Sequence, residues 1–260
     1  MLDLIRFRRS IGGEIPPLPS YVSEVENDTR LSFLMDFRSF LKSDDSLVQT
    51  TGTSINKIKD ARSGNTLTAT NVGGGAILAL NNYNRRVIQL YGNGYFTFGV
   101  GVAALDLNPN NEFHIFTRIA SYDNTDGGTI ISKGTTDNSV RNYMKVIKNS
   151  SVFMQVGDAQ IFEGSTDYKT TSPVPSNFHL KATSSQLQYR LNNTVISQSP
   201  SSPTYVVYND ETRLFAQGNG QVTASFRYTG KIEKILIFEG VMTEADITKV
   251  NDYMNLGRVL

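Results

Sequence analysis

The side chains that most often carry enzymatic chemistry are scarce in this sequence. There is no cysteine, which excludes thiolate nucleophiles, disulfides and thiolate metal sites. The two histidines, His114 and His179, each alternate with apolar neighbours inside a β-like run. Neither has a Ser, Cys or Asp at a spacing used for nucleophilic catalysis, so both read as structural. The nearest acidic cluster, Glu24-Val25-Glu26-Asn27-Asp28, precedes the β-rich part of the chain and is expected to lie in a loop or tether. Gly73-Gly74-Gly75 is followed by an apolar run and no helix, which does not suit a phosphate-cradling loop and reads as a flexible turn.

Binding chemistry is better represented. Tyr83, Arg85, Arg86, Tyr91, Asn93 and Tyr95 fall close together around an apparent hairpin, Tyr91-Gly92-Asn93-Gly94-Tyr95. Aromatic faces beside amides and guanidinium groups suit contacts with a glycan, while tyrosines of this kind also fill sandwich cores. Asn192 and Asn193 have the chemistry of a hairpin turn and are further candidates for glycan contact. Asp123, Asn124 and Asp126 precede, and Asp137 and Asn138 follow, a strand expected near 127–134. Two such loops could offer calcium the six to eight oxygens it takes, and the same residue types also serve plain turns. No other cofactor is expected.

The elements that must position these residues follow from composition and pattern. Over 260 residues, 39% are hydrophobic and 19% charged, enough for one globular core without staples. Lys plus Arg number 25 against 24 Asp plus Glu, so no global field steers the chain to nucleic acid or an anionic membrane. No apolar run approaches the roughly 18 residues of a membrane span. Residues 1–25 read as an N-terminal arm: Leu4, Ile5, Arg6, Phe7, Arg8 and Arg9 mix apolar and basic character, and a Pro-rich spacer follows. Such an arm suits strand addition to a partner, the alternative being an edge strand or loose terminus. No h-region of a secretory signal follows its basic residues.

From residue 26 to 260 short β-rich runs alternate with Gly, Asn, Asp, Ser and Thr. Strands are expected over 31–37, 86–91, 95–100, 112–120, 128–133, 143–147, 151–156, 178–183, 187–191, 213–216, 224–228 and 231–238, enough for two stacked sheets. In 112–119, Phe113, Ile115, Thr117 and Ile119 share one face, and His114, Phe116 and Arg118 the other. An aromatic on each face predicts a central strand. A single helix is expected near the end, capped by Thr243 with Asp246 three residues on, burying Ile247, Val250 and Met254 and stopping at Gly257.

The stretch GKIEKILIFEGVMTEADITKVNDYM (230–254) resembles the closing strand and helix of concanavalin A-like, laminin-G-like lectin and glucanase domains. NEFHIFTRIASYDNTDGGTIISKGTT (111–136) resembles the central strand pair of that family. NYMKVIKNSSVFMQVGD, NFHLKATSSQLQYRLNNTVI and TRLFAQGNG follow in its usual order. LSFLMDFRSF and IKDARSGNTLTATN resemble its opening strand and loop. The resemblance spans residues 31–255 and implies an all-β, two-sheet jelly-roll sandwich with a short C-terminal helix. Its glucanase branch carries a Glu-x-Asp-x-x-Glu strand, because retaining hydrolysis needs two carboxyls about 5–5.5 Å apart. That string is absent, as is tryptophan, a usual sugar platform. The resulting expectation is a non-enzymatic lectin-like module displayed in many copies on a phage particle, anchored by its arm and binding bacterial surface polysaccharide. A glycan-active hydrolase or lyase and a purely structural interaction protein are the alternatives.

Overall fold

β-branched and aromatic runs broken by turn residues favour short strands, and the chain forms seventeen of them among the described residues. A computed structural model describes residues 19–99, 105, 107–123, 128–134, 141–146, 152–156, 159–163, 175–200, 211–216 and 227–256. The elements begin with α1 (Ser20–Glu26), β1 (Leu31–Met35), β2 (Phe40–Leu41), β3 (Lys57–Lys59), β4 (Thr68–Val72), β5 (Ala76–Leu80), β6 (Arg86–Tyr91) and β7 (Tyr95–Thr97). They continue with β8 (Phe113–Tyr122), β9 (Gly128–Gly134), β10 (Arg141–Val146), β11 (Val152–Val156), β12 (Ala159–Glu163) and β13 (Ser176–Thr183). The last are β14 (Gln186–Leu191), β15 (Thr194–Pro200), β16 (Thr212–Leu214), β17 (Thr229–Glu239) and α2 (Glu244–Asn255).

Two sheets stack as a sandwich. The first runs β15-β14-β13-β8-β17-β6-β5, and the second β12-β11-β10-β9-β16-β7-β4-β3-β2. On one flank β17 takes two partners end to end, β6 against Thr229 to Ile232 and β1 against Ile235 to Phe238. The core between the sheets includes Phe33, Ile88, Phe96, Ile115, Tyr189, Leu214 and Ile235. A second cluster lies on the outer face of the first sheet, where Ile247, Val250 and Met254 of α2 pack on Phe116, Leu236 and Phe238. Strand β8 is therefore buried on both faces between β13 and β17, as its two aromatic faces predict.

The C-terminal helix forms as its sequence requires. Thr243 Oγ1 accepts from the Asp246 N–H at 3.2 Å, and Asp246 Oδ2 accepts from the Thr243 N–H at 3.0 Å. The other end of the chain departs from expectation. Residues 20–25, assigned to an arm, belong to α1, and Val22 and Val25 sit three residues apart in the outer cluster. The acidic residues Glu24 and Glu26 are thus helical: Glu24 pairs with Lys249 at 2.6 Å and Glu26 with Arg38 at 2.8 Å. Two valines at helical spacing, worth about 1.5–3 kcal/mol each when buried, outweigh the loop character of their neighbours. The expected strand over 224–228 falls mostly outside the described residues, as does Gly257.

The apparent hairpin at Tyr91 is a crossing between sheets: β6 pairs with β17 in the first sheet and β7 with β4 and β16 in the second. The β4–β5 connection crosses the same gap beside it. Gly73, Gly74 and Gly75 all have positive φ, and a Cβ on Gly94 would stand 2.0 Å from the Gly74 carbonyl oxygen. The triple glycine is therefore a backbone-on-backbone contact in place of the flexible turn expected. Gly94→Ala should cost roughly 3 kcal/mol or more in urea unfolding, because backbone on both sides must move. Gly52→Ala faces open space and only a left-handed φ, so about 1 kcal/mol is expected.

Candidate functional site

Strand irregularities next to the sheet crossing assemble a polar strip. Lys231 pairs with Ser121 while Ile232 pairs with Ile119, so Ala120 is an extra residue in β8. Ile119 and Tyr122 consequently both turn toward the inter-sheet core, and Ser121 and Asp123 share the outer face. Ser121 Oγ reaches Asp123 Oδ2 at 3.4 Å. Tyr91 pairs with Thr229, and the Asp123 N–H donates to the Thr229 carbonyl at 2.9 Å. Tyr91, Thr229 and Asp123 thus form one row across three strands, with Gln89, Lys231 and Ser121 in the next. Strand spacing and rise make this patch roughly 10 by 7 Å.

Tyr91 is 50% exposed and Asp123 is exposed. Lys231 Nζ donates to the Leu80 carbonyl at 2.9 Å, which lays its stem along the face. Two glycines fix the floor: a Cβ on Gly92 would lie 2.7 Å from Thr229 Oγ1, and one on Gly230 2.4 Å from the Ser121 carbonyl. An aromatic face ringed by a carboxylate, an amide, an ammonium and hydroxyls can stack on a sugar ring and exchange hydrogen bonds with its hydroxyls. Asp123 is the one carboxylate among these six residues.

The sequence candidates do not converge on one place. Arg85 and Tyr83 lie in the β5–β6 turn, where the guanidinium stands 5.8 Å from the Tyr83 ring centroid and 3.2 Å from Glu233. Arg86 opens β6. The Asn93 carbonyl in the crossing accepts from Arg227 Nη1 at 2.6 Å. Tyr95 alternates with buried Phe96 and so faces outward from the second sheet, with the Arg213 guanidinium 4.9 Å from its ring. Asn192 and Asn193 form the β14–β15 turn with positive φ. Asn192 Oδ1 accepts from the Asn177 N–H at 3.0 Å, and Asn193 contacts Thr248 and Asn251 of α2. This pair docks a hairpin on the helix. Of the calcium candidates only Asp123 is described; Asn124, Asp126, Asp137 and Asn138 lie outside the described residues, as do Leu4, Ile5, Arg6, Phe7, Arg8 and Arg9. Among the described residues no group of three His, Asp or Glu is placed to hold a metal ion.

The architecture is that of known β-sandwich domains. The chain is similar to domain 4 of AbnA, a GH43 extracellular arabinanase from Geobacillus stearothermophilus, in complex with arabinotriose. That match has a TM-score of 0.53 and 13% identity over 85% of this chain and 98% of the other. It is similar to the binding domain of botulinum neurotoxin serotype D, with a TM-score of 0.58 and 10% identity over 91% of this chain and 53% of the other. A structure of botulinum neurotoxin type C, whose cell entry depends on interaction with two ganglioside molecules, matches at a TM-score of 0.57 and 12% identity over 90% and 53%. The chain spans about half the length of the two toxin chains. Identities this low establish the fold. No family profile matches the sequence, and no curated protein matches it either.

Under α2 the outer face of the first sheet holds a different constellation. Glu112 Oε1 accepts from His114 Nε2 at 2.8 Å and from the Met242 N–H at 3.1 Å. His114 Nδ1 meets His179 Nε2 at 2.9 Å, and the His179 ring stacks on Phe116 at 4.0 Å. Neutral tautomers in which His179 donates to His114, and His114 to Glu112, satisfy both contacts. His179 Nδ1 then has no partner among the described residues. Both histidines are buried and engaged with each other, with Phe116 and with a glutamate partner that sequence spacing does not announce.

Burial pushes the His114 pKa down against the pull of Glu112. Burial, the neighbouring His114 and Arg190 push His179 well below its ordinary 6.5. Burial acts to raise the Glu112 carboxyl, but hydrogen bonds from His114 and Met242, together with Lys181, bring it down to about 2. A depressed histidine pKa means the unfolded chain binds protons that the folded chain refuses. Stability should therefore be intact above about pH 6.5 and fall below it by up to about 1.4 kcal/mol per pH unit for each histidine. Urea unfolding between about pH 7 and 5 checks this, and His179→Phe, which keeps the stack, should flatten the slope.

Proposed function

We propose that the chain is a non-enzymatic glycan-binding module whose ligand lies on the outer strip of the first sheet, centred on Tyr91. The observation that carries this reading is the half-exposed Tyr91 ring set in one row with Thr229 and Asp123, and beside Gln89, Ser121 and Lys231. A fold neighbour in complex with arabinotriose and a toxin whose entry depends on gangliosides support a sugar as the ligand class. The single carboxylate of the strip supports binding over glycoside hydrolysis, which uses a pair.

An open strip of this size favours weak single-site affinity, in the range of about 1 mM or −4 kcal/mol. Display in many copies turns such affinity into useful avidity. The finer reading is a module on a phage particle that binds bacterial surface polysaccharide. The apolar, basic and Pro-rich composition of residues 1–18 supports it as an anchor to another particle protein.

Glycan-array screening followed by calorimetry tests the binding reading. Tyr91→Ala should weaken the bound glycan about tenfold, and Asp123→Asn by less, without changing the unfolding midpoint. Absence of binding to every glycan, or a Tyr91→Ala variant that binds like the parent, would overturn it. Deleting residues 1–18 should abolish incorporation into the particle while leaving the sandwich folded; normal incorporation would contradict the anchor.

A further inference from the structure

Tyr83, at the far end of β6 from the strip, is 51% exposed, and its turn is built rather than loose. Asn81, buried, accepts on Oδ1 from the N–H groups of Tyr83 at 2.9 Å and Arg85 at 3.0 Å. Its Nδ2 donates to Glu233 Oε2 at 3.2 Å, which ties the turn to β17. Two side chains set the direction in which Tyr83 is displayed. Arg85 extends the outward-facing series of β6, namely Val87, Gln89 and Tyr91, and its guanidinium reaches Glu233 on that same outer face. The Tyr83 ring stands beside this guanidinium. Both exposed tyrosines of β6 and its turn therefore flank one face, and from Arg85 to Tyr91 the strand rises about 20 Å.

The ground between them is continuous. Gln89 and Lys231 occupy the row next to Tyr91, and the Lys231 stem runs from there to the Leu80 carbonyl at the start of the turn. Val87, between them on the same strand face, is fully covered, so a ligand at that point would rest on the side chains that lie over it. A ligand held by Tyr91 alone would leave this track and the rigidly presented Tyr83 unused.

We infer that the glycan is a linear chain of several sugar units laid along β6, with Tyr91 and Tyr83 as aromatic platforms at its two ends. The inference rests on the glycan-binding reading above and adds to it the class of ligand: an internal stretch of polysaccharide in preference to a single terminal sugar. A chain engages the second platform without a second association cost, so its affinity rises with length until both rings are covered.

Calorimetric titration of the full chain with arabinan, β-1,4-glucan and chitin oligosaccharides, each from monosaccharide to hexasaccharide, tests this. The expected result is a ladder whose affinity rises about five- to tenfold with length. Tyr83→Ala should reduce the hexasaccharide to the affinity of the shortest bound member and leave that shortest member unchanged. Tyr83→Trp should restore the length dependence, which a mere folding defect would not allow. Equal affinity at all lengths, or a Tyr83→Ala variant with the parent's ladder, overturns the extended ligand while the single-platform reading stands. Failure of the parent to bind any member of the ladders overturns the extended ligand, and failure on the whole glycan array overturns the binding reading with it.

Discussion

The first sheet of this sandwich must serve as a middle layer over only part of its area. Where α1 and α2 cover it, strands β8 and β17 are buried on both faces, and every polar side chain there needs a partner inside the protein. Arg118, fully buried, bonds through Nε to Glu233 at 3.2 Å and through Nη1 to Asn177 and Asn255. Lys234 donates to the Tyr253 carbonyl at 2.9 Å and lies under that ring, and burial lowers its pKa to about 8. Removing one partner of such a buried pair costs about 3–5 kcal/mol, so the helix and the sheet specify each other. Where the helical cover ends, the same sheet turns its side chains to water, and the strip around Tyr91 lies on that uncovered ground.

The bulges of β8 and β17 mark the border between the two regimes. Ala120 inserts one residue and brings Ser121 and Asp123 to the outer face beside Lys231. A second shift between Ile232 and Lys234 places Glu233 where it meets Arg85, Asn81 and Arg118 together. One carboxylate thus joins the exposed β5–β6 turn to the buried network under α2. Rigid presentation of Tyr83 is a consequence of that junction, because the turn cannot move without disturbing a paired buried charge.

Much of the fold was legible from the residues, since it rests on local pattern. The two-faced run from Phe113 to Ile119, the capping pair Thr243 and Asp246, and Ile247, Val250 and Met254 all stand where their spacing places them. Short or weakly apolar strands such as Thr68–Val72 and Thr194–Pro200 are not legible, because Thr, Asn and Ser read as turn residues and only cross-strand partners make them strands. The site was less legible. Tyr91 and Asp123 carry a signal in the sequence, but Tyr91 and Tyr95 are neighbours in sequence only, because the chain changes sheet between them. Gln89, Ser121, Thr229 and Lys231 gave no signal, because a bulge is a property of pairing and β17 is more than a hundred residues from β6 in sequence. Gly230, which leaves room for the Ser121 carbonyl, was the sequence trace of that pairing.

On the proposed reading, the glycan lies on the uncovered outer face of the first sheet around Tyr91. Backbone amide chemical-shift mapping during titration with the best-binding oligosaccharide tests it most directly. Shifts should concentrate at Gln89, Tyr91, Ser121, Asp123, Thr229 and Lys231, with the outer face of the second sheet around Tyr95 and Arg213 unmoved. Shifts centred on Tyr95 and Arg213, with the Tyr91 row unchanged, would contradict it.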